Sequence, residues 1–177
     1  MNTEYEARVL EIDREKIVQK IKDLGGKLVG EWEQKRYVYD FTPAEESKWI
    51  RLRTNGEVAT LTVKEIVNDK IDGTREWEVE VSDFEGTNAI LNQLGYKARA
   101  YQENRRTRYM LDGVELDIDE WPRIPAYLEI EAASETEVMR VVELLGVEPE
   151  KVTTLGVSGI YSDFYGIDVN AIPELRF

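Results

Sequence analysis

The chain opens on Glu4-Tyr5-Glu6-Ala7-Arg8, a charged/apolar alternation that returns along most of its length. Every second side chain of a strand shares a face, so Glu4, Glu6 and Arg8 point one way and Tyr5, Ala7 and Val9 the other. The same pattern recurs at residues 49–53, 61–64, 76–81, 104–108, 115–119 and 128–131. Nearly every predicted strand thus has one apolar face and one charged face, and the charged faces carry both signs. Such a sheet can bury only one of its faces in an apolar core, and the other must meet water, a ligand or opposite charge.

Between the strands lie capped amphipathic helices. Asp13 is placed to cap a helix through Leu24 with Ile17, Ile21 and Leu24 as its buried stripe, stopped by Gly25-Gly26. Ser82-Asp83 caps a second helix from Phe84 to Leu94 that ends at Gly95. Ser134 with Glu137 forms a capping box for a third, carrying Val138, Val141, Val142 and Leu145 and ending at Gly146. A loose repeat shows through: a Glu-x-Glu strand, a capped helix, then Leu-Gly. Asn55-Gly56 and Asp112-Gly113 mark two hairpins. Residues 35–41 read as a strand around Tyr37 and Tyr39, closed by a turn at Thr42-Pro43. Residues 68–73 read as a mobile polar connection, and Trp121-Pro122-Arg123-Ile124-Pro125 as a rigid linker. The stretch after Glu148 shows a short helical piece near 159–165 and an indistinct tail. With no dividing linker, residues 1–177 are expected to form one domain of the α+β class.

Composition removes several chemistries. The chain has no cysteine and no histidine, hence no thiolate zinc site, no Ser-His or Cys-His pair and no imidazole base. Any metal must take oxygen ligands. Net charge is −13, from 36 acidic and 23 basic residues, which argues against a nucleic-acid surface. No apolar run approaches membrane-spanning length, so a cytoplasmic protein without membrane contact is expected.

An open sheet would place the charged face in water. Two features favour closure instead. Each helix carries a single apolar stripe, suited to packing outside a sheet. The cations Arg51, Arg53 and Lys64 fall on one hairpin, whereas Glu76, Glu78, Glu80, Glu129 and Glu131 fall elsewhere. Like charges on neighbouring strands cost roughly 3 kcal/mol per pair at ~5 Å and an effective dielectric near ~20. An anion among these cations would remove that cost. Closing the sheet turns the charges inward and abolishes its edges. The predicted architecture is a closed or nearly closed eight-stranded antiparallel barrel, a tunnel, with helices packed outside.

In this order the motifs resemble the CYTH-domain family of triphosphate tunnel metalloenzymes, which includes class IV adenylyl cyclases, thiamine triphosphatases and inorganic triphosphatases. Glu4-Tyr5-Glu6-Ala7-Arg8 resembles the Glu-x-Glu-x-Lys opening, Ile50-Arg51-Leu52-Arg53 the Leu-Arg-x-Arg strand, and Leu61-Thr62-Val63-Lys64 the Leu-Thr-x-Lys strand. Asn104 to Tyr109 resembles the Lys-x-Arg-x-x-Tyr element, and Asp119 through Leu128-Glu129-Ile130-Glu131 the acidic finish. Tyr161-Ser162-Asp163 approximates a late Ser-Tyr-Asp pattern. The resemblance implies that Glu4, Glu6, Asp119, Glu129 and Glu131 are metal carboxylates for Mg2+ or Mn2+, with Glu4, Glu6 or Glu131 able to take a proton from water. It also implies that Arg8, Arg51, Arg53, Lys64 and Arg106 hold the triphosphate. Glu78 is a weaker candidate. Arg8 replaces the signature lysine, Asn104 stands where a lysine is common with Arg108 as compensation, and residues 121–125 replace a glycine-containing turn. Glu76 and Glu80 read as structural or solvated, Arg75, Arg105 and Arg123 as surface charges, and Trp32, Trp49, Trp77 and Trp121 as packing residues.

The expected activity is metal-dependent hydrolysis of a small-molecule triphosphate, whether inorganic triphosphate, thiamine triphosphate or a nucleoside triphosphate, by a monomer or homodimer. The alternatives are a cyclase making cyclic AMP from ATP, and a binding module for polyphosphate or a phosphorylated metabolite.

Overall fold

The computed structural model describes residues 2–45 and 47–177. In chain order the elements are β1 (Asn2–Val9), α1 (Arg14–Asp23), β2 (Lys27–Glu45), β3 (Lys48–Thr54), β4 (Ala59–Ile66), β5 (Thr74–Val81), α2 (Phe84–Gln93), β6 (Ala98–Leu111), β7 (Val114–Glu120), β8 (Tyr127–Ala132) and α3 (Glu135–Leu145). Then follow β9 (Val152–Thr153), a helical segment from Val157 to Phe164 and β10 (Glu174–Leu175). The strands pair in the order β6-β2-β3-β4-β5-β1-β8-β7, and β7 pairs back to β6, so eight strands close an antiparallel ring. β9 attaches to β1, and β10 runs parallel to β6.

The alternation sets which face goes where. Ala7, Leu116, Leu128 and Ile130 point outward and are fully buried beneath α1 and α3, with Ile21 of α1 and Val138, Val141, Val142 and Leu145 of α3 completing that core. On the opposite wall, Tyr39, Ile50 and Leu52 are covered by Leu91 and Phe84 of α2. Each such side chain taken fully out of water contributes about 1.5–3 kcal/mol. The expected caps form: Asp13, Asp83 and Ser134 accept from the backbone N–H groups of Lys16, Gly86 and Glu137. Gly25, Gly95 and Gly146 follow the helices with φ of 90°, 95° and 71°, a region glycine enters without steric cost.

Four expectations are corrected. β2 begins at Lys27 and not at 35, because residues 27–34 find their partner in the distant β6, with a register shift between Leu28 and Gly30. Thr42-Pro43 does not end β2, which runs on to Glu45. Pairing with β3 lapses between Asp40 and Glu45, so the proline sits where no ladder donor is needed. The connection at 68–73 is tied down: Ile71 packs on the core, and its carbonyl accepts from the Glu6 N–H at 3.0 Å. The tail is also ordered. Ile160, Tyr161, Val169 and Leu175 form a buried cluster with Trp121 and Tyr127. Among the described residues, no helix is long and apolar enough to cross a membrane.

If the core lies outside the barrel, Leu116→Ala should lower the urea unfolding free energy by about 2–5 kcal/mol. Val79→Ala, at a side chain 60% exposed, should change it by less than about 0.5 kcal/mol. Equal effects would contradict this division of faces.

Candidate functional site

The inward-facing positions line a cavity of about 860 Å³. Every sequence-predicted candidate lies on its wall: Glu4, Glu6, Arg8, Arg51, Arg53, Lys64, Arg106, Asp119, Glu129 and Glu131. Strand register explains the convergence. Glu6, Glu131 and Glu115 stand directly opposite one another across β1, β8 and β7, and Arg8, Glu129, Asp117 and Arg108 form the next row.

The two halves of the wall differ in how their charges are met. On β1, β6, β7 and β8 the arginines are saturated. Arg8 donates to Glu129 at 2.8 Å, Glu6 at 2.7 Å and the Leu155 carbonyl at 3.1 Å. Arg106 grips Asp119 through two bonds of 2.7 and 2.6 Å and reaches Asp117 at 2.5 Å and Glu129 at 3.0 Å. Arg108 is held by Asp117 at 2.7 and 2.6 Å and by Glu115 at 2.5 Å. It therefore does not stand in for the lysine that Asn104 replaces.

On β2 and β3 the guanidinium groups are under-compensated, whereas Lys64 of β4 is paired with Glu76 and Glu4. Arg51 lies 3.3 Å from Glu78 and 3.6 Å from Glu76, and Arg53 is 3.9 Å from Glu78. The hairpin register places Thr62 opposite Arg51, Thr60 opposite Arg53 and Trp49 opposite Lys64. No two of these cations are therefore directly opposed across that hairpin, but Arg51 and Arg53 share one face of β3 and repel each other. The directly opposed pair is Arg36 with Arg53, across β2 and β3. Arg36 is buried, bonds Gln34 and Asn104, and has no carboxylate partner among the described residues. Sequence reasoning missed it. The signal was available, since the apolar face at Tyr37 and Tyr39 leaves Arg36 and Val38 on the other face of β2.

Titration follows these surroundings. The Arg51 guanidinium, then burial and Arg106, push Arg53 down to about 9. Burial, then Arg53, Arg51 and Arg106, push Arg36 well below its ordinary range. Guanidinium keeps its proton in proteins, so both shifts express an unmet demand for negative charge. Burial raises Glu4 to about 8, with Lys64 pulling against it and Glu76 and Glu6 adding to it. Burial, then the carboxylates of Glu129, Glu115 and Glu6, raise Glu131 to about 7. Burial works to raise Glu76 too, but Arg51 and Lys64 outweigh it and hold Glu76 near about 2. Glu76, only 8% exposed, is a buried partner of Lys64 and Arg51 and not a solvated charge. Glu78 accepts from the Thr62 hydroxyl at 2.6 Å. Asp117 is buried against Arg106 and Arg108 and does not line the cavity, whereas Trp121 both packs and lines it. Arg75, Arg105 and Arg123 are exposed, as expected for surface charges. Among the described residues no three carboxylates are gathered as a ready metal-ligand set.

The site is thus the buried, two-signed lumen of a closed antiparallel barrel. Comparison with known proteins gives the family. The CYTH domain matches residues 2–154, and the chain belongs to that family. A Methanocaldococcus jannaschii protein provisionally named an adenylate cyclase is 30% identical over 134 residues, covering 72% of this chain and 75% of its own. A solved Pyrococcus horikoshii structure superposes with a TM-score of 0.76 at 27% identity, over 86% of this chain and 96% of its own. A Hippeastrum protein, provisionally an adenylyl cyclase and described as having a dominant triphosphatase activity, superposes at 0.61 with 14% identity over 94% and 96% of the two chains. At that identity the likeness speaks to the fold alone.

The raised carboxylates make a signed prediction. A free glutamate titrates near 4.5 and Glu131 near about 7, so the fold favours protonated Glu131. That contribution is complete below about pH 4.5 and is lost as pH rises through about 7. In metal-free buffer Glu131→Gln should raise the melting temperature at pH 8 by at least about 2 °C and leave it unchanged at pH 4.5. The same difference at both pH values would contradict the assignment.

Proposed function

We propose that this protein is a divalent-metal-dependent hydrolase of a small triphosphate-bearing substrate. The observation that carries the reading is the set of under-compensated guanidinium groups of Arg36, Arg51 and Arg53, enclosed in one lumen with Lys64, which pairs with Glu4 and Glu76. Arginine matches phosphate oxygens with paired donors, and in an enclosed site such contacts exceed their strength in water. In this reading Arg51, Arg53 and Lys64 hold the phosphate chain. Arg8 and Arg106, bound to carboxylates in this structure, position Glu129 and Asp119 and turn toward phosphate only as those carboxylates take another partner.

The donor chemistry suits a hard cation, with carboxylates that would have to draw together around it. Glu6 and Glu131 are directly opposite each other, Glu4 Oε2 is buried without a hydrogen bond, and all ligands available are oxygens. Glu4, Glu6 and Glu131 would hold a Mg2+ or Mn2+ ion, with Asp119 and Glu129 joining as their arginines turn away. Such an ion supplies charge neutralisation of the phosphate chain and acidification of water. Glu131, without an ion-pair partner among the described residues, would accept a proton from the attacking water. The water oxygen then bonds phosphorus as the bridging P–O bond breaks, and the cations stabilise the charge that develops. Residues 1–177 act as one unit in this reading, since the segment after 154 supplies the carbonyl that orients Arg8.

The second reading, formation of cyclic AMP from ATP, is favoured by the name of the 30%-identical relative. It requires a nucleoside seat and an in-line ribose hydroxyl in addition to the phosphate site. Product identity separates the two. With Mg2+ or Mn2+, tripolyphosphate, thiamine triphosphate and ATP should be screened for released phosphate and for cyclic AMP. Hydrolysis predicts phosphate release that falls by about 100-fold or more in Arg53→Ala and Lys64→Ala. Cyclic AMP with pyrophosphate would replace hydrolysis by the cyclase reading. Binding without turnover of any substrate would leave only a binding module.

A further inference from the structure

The ring of strands closes unevenly at β5. Asn2, Thr3 and Glu4 of β1 stand opposite Glu76, Arg75 and Thr74, and among the described residues that ladder goes no further. On its other side β5 is paired with β4 along its whole length, from Thr74 to Val81. Glu78, Val79, Glu80 and Val81 thus have β4 on one side and, among the described residues, no strand on the other. No turn or loop backbone group of those residues bonds them either. Trp77 through Glu80 are exposed. In an antiparallel strand, half of the backbone N–H and C=O groups point to each side, so this run presents an open edge to solvent.

The side chains of this run decide what can pair there. Trp77 and Val79 point outward, 39% and 60% exposed, and extend apolar rows that begin at Val63 and Leu61 of β4. On the inner face, Glu78 accepts from Thr62 and lies 3.3 Å from Arg51. Glu80 shares that face, stands opposite Thr60 and has no ion-pair partner among the described residues. A second copy joined here by a two-fold axis centred on Val79 or Glu80 sets Glu78 against Glu80, or Glu80 against itself. Like charges directly opposite destabilise a strand pair. A wholly apolar strand would dehydrate Glu80 without a partner. A strand that alternates cations with apolar side chains satisfies both faces. Its cations meet Glu80 and Glu78, and its apolar side chains lengthen the rows of Trp77 and Val79. Acidic side chains on an edge can simply repel other strands, but an exposed tryptophan and valine beside them make this edge selective and not merely guarded.

We infer that residues 78–81 of β5 are a docking edge for an extended basic segment of a partner protein, one that alternates Lys or Arg with apolar residues. The segment runs antiparallel to β5, in line with β1 and in the lane that β1 leaves open. Main-chain pairing with the edge supplies affinity, and the alternating side chains supply selectivity. So short an edge suits a transient contact and not a permanent one. The inference stands apart from the proposed hydrolysis, because it uses none of the lumen cations.

Fluorescence anisotropy with labelled peptides tests this on the whole chain. A peptide of alternating valine and lysine should bind wild type at least about 10-fold tighter than a peptide of the same composition with its lysines in one block. Both peptides carry the same charge, so general attraction to a protein of net charge −13 acts on them alike. Glu80→Gln should reduce that preference to about 3-fold or less, because the facing carboxylate is gone. Val79→Ala, which leaves the fold intact, should weaken the alternating peptide by about 3-fold through the outer face. Equal binding of the two peptides by wild type would overturn the proposal, and so would a preference that survives Glu80→Gln unchanged. Sedimentation supplies the remaining outcome. A monomer agrees with the inference, whereas a wild-type dimer that Val79→Ala dissociates would assign the edge to a second copy and overturn it.

Discussion

The structure depends on an electrostatic demand that its own residues leave open. Arg36, Arg51 and Arg53 converge inside a closed barrel, and the carboxylates able to neutralise them are either distant or engaged elsewhere. Burying like charges together is costly, and unscreened cost of that kind is retained where it serves binding. The fold tolerates it because its stability is generated elsewhere. Two apolar clusters lie between the barrel's outer face and the three helices, and a third packs the tail on Trp121 and Tyr127, so the charged positions of the lumen are not needed for hydrophobic burial. A charged interior and a stable fold are compatible only because the sheet separates them.

The lumen then divides its labour between two walls. On β1, β6, β7 and β8, arginines and carboxylates form a continuous ladder in which Arg106 serves three acidic partners and Glu129 serves two arginines. Such a ladder is rigid and orders the acidic side chains. On β2 and β3 the guanidinium groups meet carboxylates only at 3.3 to 3.9 Å, or in the case of Arg36 not at all among the described residues. Lys64 joins the two walls, bonded to Glu76 and 3.3 Å from Glu4. In the proposed function a polyanion would meet the second wall and a divalent cation the carboxylates of the first.

Much of this was legible in the alternation. A period of two assigns every candidate to a face, and strand order then carries all of them into one cavity. What was not legible depended on partners distant in sequence. Arg36 sits on the inward face of β2, but nothing local shows that it lies opposite Arg53 and beside Asn104. Glu76 reads as structural or solvated until register places it against Lys64. The tail has no strong period, and its packing on Trp121 and Tyr127 shows only in the structure. Pro43 reads as a turn because local rules do not show where a ladder already lapses. The helix caps, set by neighbours three residues apart, were read correctly.

The most direct measurement is thermal unfolding of metal-free protein in tripolyphosphate and in sodium chloride at matched ionic strength. A ligand that binds only the folded state stabilises it by about 2.7 kcal/mol at ~100 times its dissociation constant, whereas simple screening acts alike in both salts. An enclosed and unmet cation cluster predicts a melting temperature that climbs with tripolyphosphate by several degrees beyond the chloride control. Coincident curves in the two salts would show that these arginines and Lys64 await no anion, and the central claim would fail.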